Sequence, residues 1–186
     1  MALKFEETAI ADVKLVIPEK HGDARGFFSE VYKESDWRAT GLDPVFVQDN
    51  HSFSAPVGTL RGLHFQLPPF AQDKLVRVTR GRILDVAVDI RRSSPTFGRH
   101  VAVELSAQNW LQLFIPIGFA HGFITLEPDT EVLYKVTNVY SSEHDRGLAY
   151  NDPDLAIEWP VTGEDPILSD KDRRHPRLCD LGALFP

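Results

Sequence analysis

Lys74-Leu75-Val76-Arg77-Val78-Thr79-Arg80-Gly81-Arg82-Ile83-Leu84-Asp85-Val86-Ala87-Val88-Asp89-Ile90 reads as two strand-like arms around a glycine. β-Branched residues fill both arms, and Arg80-Gly81 between them predicts a tight hairpin. Side chains of a strand alternate between its two faces. Lys74, Val76 and Val78 therefore share one face and Arg77 lies opposite, so Lys74 is expected to point inward with the valines. In the second arm Leu84, Val86, Val88 and Ile90 take one face, and Asp85 and Asp89 fall on the other. The same texture spreads outward over residues 14–18, 26–33, 45–53, 101–105, 110–115, 122–126 and 131–136. Short strands with turn residues at roughly 8–12-residue spacing indicate an all-β sandwich or barrel. Helical signal is confined to residues 35–40, with Ser35 as the expected N-cap and Gly41 as the stop. From about Asn151 the chain turns irregular, with Asn151-Asp152-Pro153, Trp159-Pro160 and Asp165-Pro166. That part is expected to be a partly helical tail folded back on the barrel.

The 186 residues suffice for one domain with a full core, expected over 1–186. A net charge of -7 argues against a nucleic-acid binder, which needs a basic face for phosphates. It leaves room for an anionic small ligand in a locally basic pocket. Cys179 is the single cysteine, so an intrachain disulfide is excluded and a reducing compartment fits. Residues 1–7 lack a signal-peptide apolar core, and no apolar run reaches membrane-spanning length. A cytoplasmic protein without a membrane partner is expected.

Upstream of the first arm stands Arg61-Gly62-Leu63-His64-Phe65-Gln66, and downstream Pro116-Ile117-Gly118-Phe119-Ala120-His121. With Lys74 and Gly81 these stretches resemble the metal-binding frame of cupin barrels, with two ligands replaced. Gln66 stands where the frame has a second histidine, and Lys74 where it has a glutamate. A lysine is cationic at neutral pH and repels a divalent ion, so a metal-dependent cupin is disfavoured and no metal or cofactor is expected. Two histidines and one ammonium suit proton transfer beside a developing negative charge.

Further motifs run in order along the chain: Asp23-Ala24-Arg25-Gly26-Phe27-Phe28-Ser29-Glu30, Gln48-Asp49-Asn50, the His64 and His121 motifs, Asp89-Ile90-Arg91, Ser94-Pro95-Thr96-Phe97-Gly98, Tyr134-Lys135 and Leu168-Ser169-Asp170-Lys171-Asp172. Together they resemble the dTDP-4-dehydrorhamnose 3,5-epimerase family. The resemblance implies a cupin-type jelly roll (a double-stranded β-helix), a homodimer, and an isomerase acting without metal on a dTDP-4-keto-6-deoxyhexose. It also implies roles. His64 matches the family's base, Asp172 the carboxylate paired with it, Tyr134 the proton donor and Lys74 the enolate stabiliser. Arg25 and Arg61 match diphosphate contacts, and Glu30, Gln48 and Asn50 match polar contacts to the thymidine end. Tyr140 matches the aromatic against the base, and His121, Lys171 and Asp145 match further ligand contacts, with Glu143 close enough to compete with Asp145. The chemistry agrees, because C3 and C5 both flank the C4 ketone. Each inversion needs a base on one face, a donor on the other and a cation near the enolate oxygen.

Two alternatives stay open. One is an epimerase acting at C3 or C5 alone, and the other a non-catalytic nucleotide-sugar binding module. Loss of base or donor would mark the second, and neither is lost. His21, His51, His100, His144 and His175 carry no signal, and Cys179 is expected to be inert.

Overall fold

The computed structural model describes residues 4–161, 165–182 and 185. Two antiparallel sheets face each other. The six-stranded sheet runs β1 (Lys4–Glu7), β2 (Lys14–Ile17), β10 (Gln112–Ile115), β7 (Lys74–Arg80), β12 (Thr130–Val136), β5 (Gln48–Ser54). The five-stranded sheet runs β13 (Asp145–Gly147), β6 (Leu60–Gln66), β11 (Phe119–Thr125), β8 (Arg82–Asp89), β9 (His100–Ser106). A separate ribbon pairs β3 (His21–Asp23) with β4 (Gly26–Phe28). This is the cupin-type β-fold that the sequence points to.

The expected hairpin at Arg80-Gly81 does not form. β7 pairs with β10 and β12, whereas β8 pairs with β11 and β9. Gly81 is instead a corner that hands the chain from one sheet to the other. Its φ of 76° suits glycine, and a Cβ there would lie 2.3 Å from Thr130 Oγ1. Turn residues report that a chain bends, but not which strand it then joins.

Alternation along β8 explains how both of its faces are used. Ile83 and Ala87 enter the core between the sheets, with Val76, Val78, Leu113, Ile115, Phe123 and Val132. Val86, Val88 and Ile90 face outward, and there they meet Leu148, just after β13, and Leu155 and Leu178 of the tail. The tail therefore covers an apolar sheet face, as its position after the barrel implied. It contains two 3₁₀ turns, Asp172–Arg174 and Leu178–Asp180. The outer face of the six-stranded sheet carries Val16, Leu75 and Phe114, and the buried Trp37 of helix α1 (Glu34–Arg38) seals it. Ser35 does not cap α1. Lys33 occupies the N-cap with no side-chain hydrogen bond, and Ser35 Oγ lies 3.3 Å from Asp36 Oδ1. Five residues held by one tryptophan form a helix through packing rather than capping.

The aspartates of β8 are both fully buried. Asp89 accepts hydrogen bonds from Arg91 Nε (2.9 Å), Ser94 Oγ (2.6 Å) and Thr96 Oγ1 (2.6 Å). Burial alone would raise its pKa, but these donors outweigh burial and hold it at about 2. The Asp89-Arg91-Ser94-Thr96 motif is thus a structural clasp at the end of β8. Asp85 serves the cleft.

Candidate active site

Both sheets contribute to a cleft of about 400 Å³ lined by Arg61, His64, Lys74, His121, Phe123, Tyr134, Lys171 and Asp172, among others. A second space of about 280 Å³ shares His64, Lys74, Tyr134 and Lys171 with it and adds Gln48, Asn50, Tyr140 and Asp145. The shared walls make one continuous groove.

His64 comes from β6, where it registers against His121 of β11. Its side chain is 33% exposed, open to the cleft, while Asp172 behind it is 5% exposed. His64 Nε2 lies 2.6 Å from Asp172 Oδ1. An acidic partner on Nε2 draws the ring proton there and leaves Nδ1 with the free lone pair. Burial pushes the Asp172 carboxyl up, but the His64 hydrogen bond and charge more than offset this, and its pKa is lowered. Asp172 therefore stays a carboxylate.

Lys74, at the start of β7, is buried and points inward as alternation implied. Nζ donates to the His64 carbonyl at 3.3 Å. Desolvation is the main cause that lowers its pKa to about 8, with the charges of Asp85 and Asp145 acting against it. His121 of β11 reaches Asp85 of β8, Nε2 to Oδ2 2.9 Å, both groups buried. Desolvation lowers the His121 pKa despite Asp85, which favours a neutral imidazole donating to the carboxylate. Tyr134 of β12 has its pKa raised, chiefly by burial, so its phenol keeps its proton.

At the far end, Tyr140 Oη donates to Asp145 Oδ2 at 3.1 Å, and Lys171 Nζ donates to the same oxygen. Gln48 Nε2 donates to Asn50 Oδ1 at 2.9 Å, and Gln48 Oε1 accepts from the Tyr140 amide at 3.1 Å. Asp145 rather than the exposed Glu143 faces the groove. Arg61 is held by Ser54 Oγ at 3.2 Å and the Phe53 carbonyl at 3.1 Å. Gln66, at the altered cupin position, spends its amide on loops. It donates to the Phe70 and Val139 carbonyls and accepts from the Ser141 amide.

Arg25 and Glu30 are not brought to this groove. Arg25 sits at the turn of the β3–β4 ribbon, its side chain 90% exposed and paired with Asp23. Glu30 is exposed, 3.9 Å from Lys33. Two residues that sequence reasoning passed over do lie close by. Asp85 anchors His121, and the signal was an acidic residue alternating with apolar ones along β8. His175 packs its ring against His64, centroids 5.4 Å apart, and nothing local in the sequence signals that contact. Among the described residues, His64, Asp172 and His175 are the one group of three that could offer ligands to a metal ion.

The arrangement has a supported base, a retained acid proton and a buried ammonium around one space, which is equipment for deprotonating carbon and returning the proton. Residues 7–180 match the family model described as dTDP-4-dehydrorhamnose 3,5-epimerase. The enzyme of that name from Sinorhizobium fredii is 55% identical over 97% of this chain and 92% of its own length. The Bacillus anthracis dTDP-4-dehydrorhamnose 3,5-epimerase structure, with TDP and pyrophosphate bound, superposes with a TM-score of 0.91 at 53% identity, covering 95% of this chain and 99% of that one. The Legionella pneumophila dTDP-6-deoxy-D-glucose-3,5-epimerase in complex with dTDP-4-keto-L-rhamnose gives 0.94 at 44% identity, covering 99% and 97%.

Proposed function

The chain belongs to the dTDP-4-dehydrorhamnose 3,5-epimerase family, and from that membership we propose how its cleft does the work. It is an isomerase that converts dTDP-4-dehydro-6-deoxy-D-glucose to dTDP-4-dehydro-L-rhamnose by inversion at C3 and C5. His64 Nδ1 takes the proton from a carbon beside the C4 ketone, and Asp172 stabilises the imidazolium that forms. The electron pair moves onto the ketone oxygen. Lys74 supplies the cation beside that oxygen in a water-poor site, where the interaction is strongest. Tyr134 returns a proton from the opposite face. Arg61 holds the diphosphate with its guanidinium fork. Tyr140, Gln48, Asn50, Asp145 and Lys171 receive the nucleoside end, and His121, fixed by Asp85, completes the wall at the sugar. The observation that carries this reading is the 2.6 Å His64–Asp172 contact opening on a cleft that Lys74 and Tyr134 also line.

Incubating enzyme and keto-sugar nucleotide in deuterated water tests it. Deuterium is expected at both C3 and C5 of the product. Label at one carbon only would restrict the enzyme to a single centre, and no label would leave a binding module.

The pKa of Lys74 gives a second expectation. The ammonium form is the one that stabilises the enolate, and it is lost as pH rises through about 8. kcat should therefore fall on the alkaline side of that value. A rate that stays level up to the ordinary lysine value of 10.5 would remove the Lys74 charge from the mechanism.

We read the protein as a cytoplasmic homodimer. Its single cysteine and nucleotide-sugar substrate fit that compartment, and among the described residues no helix is long and apolar enough to cross a membrane. β5 is an edge strand with exposed Phe53, Val45 and Val47 just before it are exposed, and so are Phe27 and Phe28 of β4. Unpaired strand edges and exposed large apolar side chains favour association. A dimer in which the β3–β4 ribbon crosses over would give Arg25 and Glu30 a cleft to serve. Light scattering that returns the mass of one chain would overturn this.

A further inference from the structure

Behind His64 lies a group for which the reaction has no use. The His175 side chain is 8% exposed, and among the described residues neither ring nitrogen has a hydrogen-bond partner. Burying an imidazole with both nitrogens unpaired is unfavourable unless some other species meets them. His175 Nδ1 lies 3.9 Å from Asp172 Oδ1. The fold makes space for this ring, since a Cβ on Gly147 would come within 2.2 Å of it. One ligand atom each from His64, Asp172 and His175 lies within 4.8 Å of the others.

We propose that His64, Asp172 and His175 form a binding site for a Zn²⁺ ion and that its occupancy switches the enzyme off. Two imidazoles and one carboxylate match zinc rather than magnesium or calcium, which prefer all-oxygen ligands. Three protein ligands leave a fourth position for water from the cleft. The nearby ammonium groups are engaged elsewhere, Lys171 with Asp145 and Lys74 with the His64 carbonyl. This set shares only His64 with the cupin frame, whose altered positions are Gln66 and Lys74.

The inhibition follows from the tautomer. In the metal-free enzyme the ring proton of neutral His64 sits on Nε2, facing Asp172, and Nδ1 is bare. When zinc takes Nε2 and an Asp172 oxygen, that proton moves through solvent to Nδ1. The ring stays neutral and no net proton is released by it. The nitrogen that would accept the substrate proton is now filled. Binding of the ion does not depend on His64 being the base, whereas the inhibition does rest on that reading.

The test uses the full-length protein stripped with a chelator. Stripping should leave epimerisation intact. Calorimetry with Zn²⁺ should show one ion per chain, Co²⁺ should develop the visible bands of a low-coordinate site, and epimerisation should fall with occupancy and return with chelator. His175→Leu and His175→Asn should each weaken Zn²⁺ by more than the about 10–100-fold typical of losing only a ligand's supporting group. Whatever rate each variant retains should no longer respond to zinc. His175→Cys, which restores a ligand, should bind and be inhibited again. Unchanged calorimetry in His175→Leu and His175→Asn, or no stoichiometric binding by the parent, would overturn the site. Binding through His175 without inhibition would keep the site and overturn the switch together with His64 as base. A stripped enzyme that is dead until zinc is added would overturn the switch outright.

Discussion

His64→Ala loses exchange of the C3 and C5 protons with solvent by about 10²–10⁴-fold, the usual cost of removing a general base. Affinity for dTDP stays near the parent value, because the contacts assigned to dTDP come from other side chains, Arg61 in the same cleft and Gln48, Asn50, Tyr140, Asp145 and Lys171 along the adjoining space. Removing the imidazole also leaves Asp172 buried at 5% exposure without its hydrogen-bond donor, and an orphaned buried group costs about 1–3 kcal/mol of stability. His64→Gln, which offers Asp172 an amide donor but no base, separates the two effects. It should fold better than His64→Ala and be equally inactive. Asp172→Ala should act in the same direction with a smaller loss if Asp172 only orients and stabilises the base. Deuterium wash-in at near the parent rate in His64→Ala would show that another group removes the proton.

Tyr134→Phe is the second large effect, of a different shape. Among the described residues the Tyr134 hydroxyl takes part in no hydrogen bond, while its ring packs on the core between the sheets. Phenylalanine keeps the ring and leaves no partner unpaired, so the melting temperature should hold. A hydroxyl that mattered only to structure would instead cost about 1 kcal/mol with activity preserved. As the donor, it is needed only after the enolate has formed. Proton wash-out through His64 should therefore continue while inverted product falls far below it. The two rates part in Tyr134→Phe and drop together in His64→Ala, so the pair of variants orders the two proton transfers. Full inversion at both carbons by Tyr134→Phe would assign the proton to water or to another residue.

Residues on one strand were legible in the sequence because side-chain alternation is a local rule. It placed Lys74 inward with Val76 and Val78, and it put Asp85 and Asp89 on one face of β8. It did not say that this face was the interior, since both faces of β8 are buried, one by the opposite sheet and one by the tail. Pairing between strands was less legible. Gly81 carries the same positive-φ signal in a hairpin as in a corner between sheets, and only the partners of β7 and β8 tell them apart. The competition between Glu143 and Asp145 had the same cause, a register that follows from Asp145 lying opposite Gln66. His175 was beyond reach, because nothing local ties a tail residue to a barrel histidine more than a hundred positions earlier. Arg25 and Glu30 were named from resemblance alone, and in the single chain they stand apart from the groove.

The two facing sheets hold β6, with His64, and β12, with Tyr134, on opposite sides of the groove. On the proposed roles, a pyranose bound between them would present one ring face to each wall. Handedness at a carbon becomes a matter of which wall supplied the last proton. With the proposed roles of His64 and Tyr134, a proton delivered from the five-stranded side restores the original configuration, and one from the six-stranded side gives the inverted one. The sandwich is therefore a chirality gauge, and its accuracy depends on the sugar not rolling over while the carbon is planar. Slack between the walls would surface as a mixture of diastereomers before it surfaced as lost turnover.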